Sequence, residues 1–393
     1  MTADLRIFGA VVFVRFVLPL FIPKFPLPAI LACLIVDALD QSIFSAYTHL
    51  DLTHYQSYDK ALDIFYLSMA MLTTLRSWSS RPAVEIARIL FYLRLVGVAI
   101  FEKSGWRPSL LLFPNAFEYF FILYEFVRSR WNPAHRSTLF FIAAATLCWA
   151  IKLPQEYWIH IARLDLTDEL KTKVLREPAD ANWPEAVHQH PLAGLFVIAC
   201  SAALIAGTLI LIQFRMGRPT HRLVLVADPI PKAIDEAHER DREIAQGWRL
   251  FDLHLLEKII LVGLVTMIFA QVLPGIRVTS GQMAVGVAVI VTVNALHRLQ
   301  AARTRRSVEH VVLAFLVLAL VNLILVQLAH WLLPLPWANL PRVPTLFFLL
   351  LLTLIVTLYD RWRPVFEVRF HPYGRKRRPR GASSKGKRML EKL

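Results

Sequence analysis

"PLAGLFVIACSAALIAGTLILIQF", Pro191 to Phe214, runs through two dozen positions without one charged side chain. Coiled as an α-helix at about 1.5 Å per residue it measures about 36 Å, enough to cross roughly 30 Å of hydrocarbon. Lipid offers no partners to backbone N–H and C=O groups. A segment that crosses it must close its own hydrogen bonds as a helix or join a closed barrel. A barrel is built from short alternating segments, and this run is continuous.

Runs of the same character recur on both sides of it. The 393-residue chain is 56% hydrophobic, with a mean hydropathy of +0.48. Its apolar residues gather at 27–44, 61–75, 83–101, 110–127, 137–152, 191–214, 255–273, 281–298, 308–333 and 344–360. This pattern predicts an all-α, polytopic transmembrane helix bundle of about ten spans.

The charge of the loops orients the bundle. "RSWSSR", "RSRWNPAHR", "RLQAARTRR" and the tail "RKRRPRGASSKGKR" are basic and fall on one side in strict alternation. By the positive-inside rule both termini lie in the cytoplasm, and the location is the cell membrane. The net charge of +15 therefore reads as topology, with no nucleic-acid partner. The expected partners are the lipid bilayer and, at the basic tail, anionic lipid head groups. Cys33, Cys148 and Cys200 all sit inside apolar runs, so a disulfide framework is not expected.

The domain organisation follows. Residues 1–26 form an N-terminal segment in which Arg15 and Pro19 interrupt a short apolar stretch. It reads as an interfacial helix with Arg15 reaching for phosphates, the alternative being an eleventh span. Residues 27–152 make a polar-rich half of about five spans. Residues 153–190, with seven acids against four bases, form an extracytoplasmic loop with short helices. Span six is 191–214, followed by a charged cytoplasmic loop at 215–254, in which "HRLVLVADPIP" suggests a short strand. Residues 255–360 hold four further spans, and 361–393 are a basic cytoplasmic tail, largely disordered.

Polar residues enter the membrane mainly in the first half. Insertion of a charge at the bilayer centre costs about 2.5–3.5 kcal/mol, and such side chains face the bundle or a cavity. Asp37, Asp40 and Gln41 share one face of the first span at i, i+3 and i+4. Asp59, Asp63 and Tyr66 recur at i, i+4 and i+7 on the second, at the same level. In "PQEYWIHIAR", Glu156, His160 and Arg163 form a third stripe. If the helices pack as neighbours, these nine residues converge on one outward-facing cluster that can bind a cation, relay protons or hold a polar head group. Deeper in the membrane, Arg94 lies about 16 Å from the cytoplasmic end of its span, with Glu118 at a similar depth on the next. An Arg94–Glu118 ion pair is the economical expectation, with Glu85, Arg88 and Glu125 grouped at an inner level.

No Walker A, Rossmann, HExxH or GxSxG pattern is present. Asp37-x-x-Asp40 resembles, over five residues, the diphosphate-binding spacing of membrane prenyl transferases, but the asparagine-rich context of that family is missing. "HQH" at His188–His190 with His160 offers imidazoles, yet a metal site is not expected. No catalytic residue or cofactor is assigned. Elimination leaves a transporter or channel-like protein first. A membrane-embedded enzyme acting on a lipid or lipid-linked substrate comes second, with Asp37 or Asp40, His160 and Arg163 as its working groups. A scaffold without a site comes third.

Overall fold

The computed structural model describes residues 3–48, 55–162, 169–178, 181, 183–230, 253–272, 286–296, 311–332 and 342–370. Among these the regular structure is entirely helical. In chain order the α-helices are α1 (Ala3–Val17), α2 (Pro26–Tyr47), α3 (Tyr55–Ser77), α4 (Arg81–Ser104) and α5 (Pro108–Leu112). There follow α6 (Ala116–Arg130), α7 (Thr138–Glu156), α8 (Trp183–Gln189) and α9 (Pro191–Met216). The last four are α10 (Leu253–Val272), α11 (Gly286–Leu296), α12 (Val311–Leu332) and α13 (Arg342–Phe370).

Within the described residues the apolar runs read from the sequence fall on helices, but the run 110–127 is divided between α5 and α6 by a break at 113–115. Among the described residues, three segments are long and apolar enough to cross a membrane: Pro108–Arg130, Thr138–Glu156 and Pro191–Met216. The boundaries obey local chemistry. Proline opens α2, α4, α5 and α9 within the first two positions, where its missing N–H costs nothing. Ser137 caps α7 by accepting from the Phe140 N–H at 3.2 Å. Gly105 closes α4 with φ +67°, a left-handed conformation that a side chain would strain.

Helix α3 is the axis of the bundle. From Ala61 to Leu75 nearly every side chain is buried, because α1, α2, α4, α10 and α13 all pack against it. A single core cluster runs from Ile30 and Phe65 through Phe91, Phe117 and Phe141 to Phe269, Ile355 and Trp362. The two halves of the chain thus share one core. Trp78 stacks on Tyr124 with ring centroids 3.6 Å apart and donates to Glu125 at 2.7 Å.

Several expectations need correction. Helix α1 does carry Arg15, but its side chain turns inward onto Asp37, Asp40 and Asp63, and the residue is only 5% exposed. Phe16 stacks on Phe65, which fixes α1 against α3. Helix α13 continues ten residues past 360, to Phe370, so the tail does not begin at 361. Trp362, Val365 and Phe366 are buried there, and Arg369 caps the end of α3 by donating to the carbonyls of Trp78 (2.8 Å) and Arg76 (2.7 Å). Residues 371–393, including the basic cluster, lie outside the described residues.

The described part of "HRLVLVADPIP", 221–230, forms no strand and is pinned to the bundle by Val224 N–H on Ser129 O (2.9 Å) and Ala227 N–H on Lys24 O (2.9 Å). Helix α9 ends at Gly217 (φ +75°) and packs against α8 and the turn at Leu170–Leu175. Its apolar side chains, Leu192, Phe196, Leu204, Ile210 and Phe214 among them, remain exposed around the whole circumference.

Candidate functional site

Arg15 is the centre of the first polar cluster. Its Nη2 reaches Asp63 Oδ1 at 2.6 Å and also contacts Asp37, while Nη1 contacts Asp40. The arrangement follows from helix geometry. Asp37 and Asp40 share one face of α2, and Asp63 lies on α3 facing it. Helix α1 supplies the guanidinium, whose planar fork of donors serves several carboxylate oxygens at once. Asp40 is 3% exposed, whereas the side chains of Asp37 and Asp63 keep 32% and 35% of their surface open. The cluster is therefore closed on one side and accessible on the other.

Tyr66, one turn after Asp63 on α3, leads onward. Its hydroxyl donates to Glu118 Oε2 at 2.8 Å, and Asn115 Nδ2 donates to the same oxygen at 2.6 Å. The Asn115 backbone N–H donates to Glu156 Oε1 at 3.1 Å. Glu156 Oε2 meets His160 Nε2 at 2.9 Å. Two of the three expected stripes are thus linked through Glu118 and Asn115. Pro154 inside α7 gives way to a π-helical turn, Tyr157–Ile161, and this widened turn carries His160.

The Arg94–Glu118 pair expected from equal depth is not formed. Arg94 Nη1 lies 3.7 Å from Glu156 Oε1, while Glu118 is satisfied by Tyr66 and Asn115. The cause is the short α5, which bends the chain at Asn115 and brings the end of α7 over α4. The side chains of Gln41 and Asp59, and the whole of Arg163, lie outside the described residues.

The inner group splits in two. Glu125 is held by Trp78 and by Arg128 Nε at 2.7 Å. Glu85 pairs with Arg88 at 2.7 Å, and Arg88 Nη2 meets Glu257 of α10 at 2.9 Å. Arg363 of α13 approaches the other Glu257 oxygen at 3.5 Å, and Lys258 binds Asp360 at 2.9 Å. Sequence reasoning gave Arg15 to lipid phosphates and passed over Asn115 and this second-half group. A signal existed for Arg15: a buried acidic face needs a cation at the same depth, and Arg15 interrupts an apolar helix. Glu257, Lys258 and Asp360 sit at the ends of apolar runs, where charges pass for solvated.

His188 lies on α8, while His190 Nε2 faces Glu177 at 3.2 Å. Among the described residues no group of three His, Cys, Asp or Glu side chains is placed to hold a metal ion. Compared with protein-family models, with curated proteins and with solved structures, the chain matches none, so its geometry alone guides the reading of function.

Proposed function

We propose that the chain is a multi-pass cell-membrane protein of about ten spans with both termini cytoplasmic, and that it is transporter- or channel-like. Its working centre is the outward-facing cluster of Asp37, Asp40 and Asp63 on Arg15, where a proton or a monovalent cation is taken up. One observation carries this reading: three carboxylates converge on one guanidinium between helices of a membrane bundle. Acids at such depth commonly mark ion or proton pathways.

Asp63 or Asp37 is the entrance, since both keep open surface. Asp40 and Arg15 form the buried anchor. Protonating one carboxylate loosens its hold on the guanidinium, which then redistributes to the other two. Tyr66 and Glu118 offer a hydrogen-bonded continuation toward Glu156 and His160.

The test is ion movement in liposomes containing the purified chain, read with a pH-sensitive dye under an imposed gradient. Wild type is expected to pass protons or a monovalent cation. Asp63→Asn is expected to abolish the flux while its thermal unfolding stays close to wild type. Flux unaffected by both Asp63→Asn and Asp37→Asn removes the cluster from the pathway, and a wild-type protein that moves no ion sinks the reading.

A further inference from the structure

We infer that the groove between α4 and α7 is a binding site for one anionic phospholipid of the bilayer, with its acyl chain in the groove and its phosphate at Arg94. The groove has a volume of about 450 Å³ and is lined by Ile86, Ile89, Leu90, Ile142, Trp149 and Leu153 among others. From Ile142 to Leu153 the helical rise is about 16 Å, close to the roughly 15 Å depth of one leaflet's hydrocarbon. The groove is open at its flank, since Ile89 and Ile142 are exposed.

The polar end of the groove has the chemistry of a head-group site. Arg94 follows Leu90 by one turn of α4, and Glu156 follows Leu153 by one turn of α7. The Nε and Nη1 of Arg94 are buried and make no hydrogen bond, the 3.7 Å approach to Glu156 being too long for one. Unmet donors of this kind are costly, and a phosphate oxygen fits them. Glu156 is flanked by Arg94, His160 and, one turn earlier on α7, Lys152, with Glu118 beyond Asn115.

Tyr157 and Trp158, directly after the Glu156 end of α7, are exposed aromatics of the kind that settle at the membrane interface. This site goes beyond the ion-coupling reading and stands whether or not Asp63 carries a proton.

The experiment places the full chain in nanodiscs containing a phosphatidylglycerol with a diazirine on its acyl chain. A phosphatidylcholine of the same chain serves as comparison, and cross-linked peptides are mapped by mass spectrometry. The expected result is saturable labelling concentrated on 86–90 and 142–153, stronger for phosphatidylglycerol. Thr146→Trp, at the exposed mouth, is expected to remove most groove labelling while unfolding like wild type. Arg94→Gln is expected to erase the preference for the anionic lipid and Arg94→Lys to retain it. Non-saturable labelling equal to that of α9, which faces its surroundings on all sides, overturns the proposal. So does an anionic preference that survives in Arg94→Gln. Should that variant not fold, saturation in wild type and blockage by Thr146→Trp decide alone.

Discussion

Arg15 of α1 and Asp63 of α3, 48 positions apart, meet at 2.6 Å in a cluster that also ties Asp37 and Asp40 of α2 to the same guanidinium. One side chain therefore locks the first three helices together. Removing one partner of a buried charge pair costs about 3–5 kcal/mol, because the other is left in a poor dielectric. Arg15→Ala is expected to destabilise the protein by about that much, read as a lower unfolding temperature in detergent. Arg15→Lys keeps the charge but not the planar fork, and is expected to fall between the two. Combining Arg15→Ala with Asp40→Asn is expected to recover part of the loss. A simple sum of the two single effects would show that they do not interact.

Asp37, Asp40 and Asp63, which periodicity puts on facing stripes, share the Arg15 guanidinium, because helical periodicity sets which residues share a face. Within the described residues the apolar runs fall on helices, the run 110–127 being split between α5 and α6, for a related reason: a long apolar run has few other ways to satisfy its backbone. Periodicity cannot say how one helix is rotated against the next. Arg15 was read as snorkelling because nothing in α1 alone reveals that Phe16 stacks on Phe65 and turns the helix inward. Arg94 was matched to Glu118 by depth. The match failed because α5 and the bend at Asn115 bring Glu156 to Arg94 instead.

That difference is measurable. A double-mutant cycle on Arg94 and Glu156 is expected to give a coupling between 0.5 and about 3 kcal/mol, the range for residues in one network. The cycle on Arg94 and Glu118 is expected to stay within about 0.5 kcal/mol of additivity. Tyr66→Phe, in contrast, is expected to couple to Glu118→Gln, because the Tyr66 hydroxyl is one of the two donors to that carboxylate. Thermal unfolding of the single and double variants checks all three. A larger coupling for Arg94–Glu118 than for Arg94–Glu156 would reverse the assignment.

Lys258 and Asp360 test how the second half is fastened. The lysine is 4% exposed and the carboxylate 9%, and their contact at 2.9 Å joins α10 to α13. Lys258→Met alone is expected to cost about 3–5 kcal/mol, by taking its cation away from a buried aspartate. Lys258→Met with Asp360→Leu removes both charges and is expected to regain much of that loss, since apolar replacements of buried pairs are often neutral. If the double variant is no more stable than the single, Asp360 owes its burial to other neighbours and the pair is not what joins these helices.

Gly97 on α4 offers the sharpest packing test. A Cβ built there would stand 2.5 Å from the Phe113 Cβ and 3.2 Å from the Ser109 carbonyl oxygen. The Gly97 carbonyl also accepts from the Ser109 hydroxyl at 3.1 Å, so α5 lies directly on α4 at this point. The clash is with the stem of Phe113, which cannot swing aside as the tip of a long side chain would. Gly97→Ala gains helix propensity of about 1 kcal/mol, while overpacking a tight contact costs about 1–3 kcal/mol. The net expectation is destabilisation, together with a displaced α5 and a loosened Asn115. Because the Asn115 N–H holds Glu156, the variant is also expected to weaken the coupling between Arg94 and Glu156 in the cycle described above. A Gly97→Ala protein as stable as wild type, with that coupling intact, would show that α5 does not position the Glu156 end of α7.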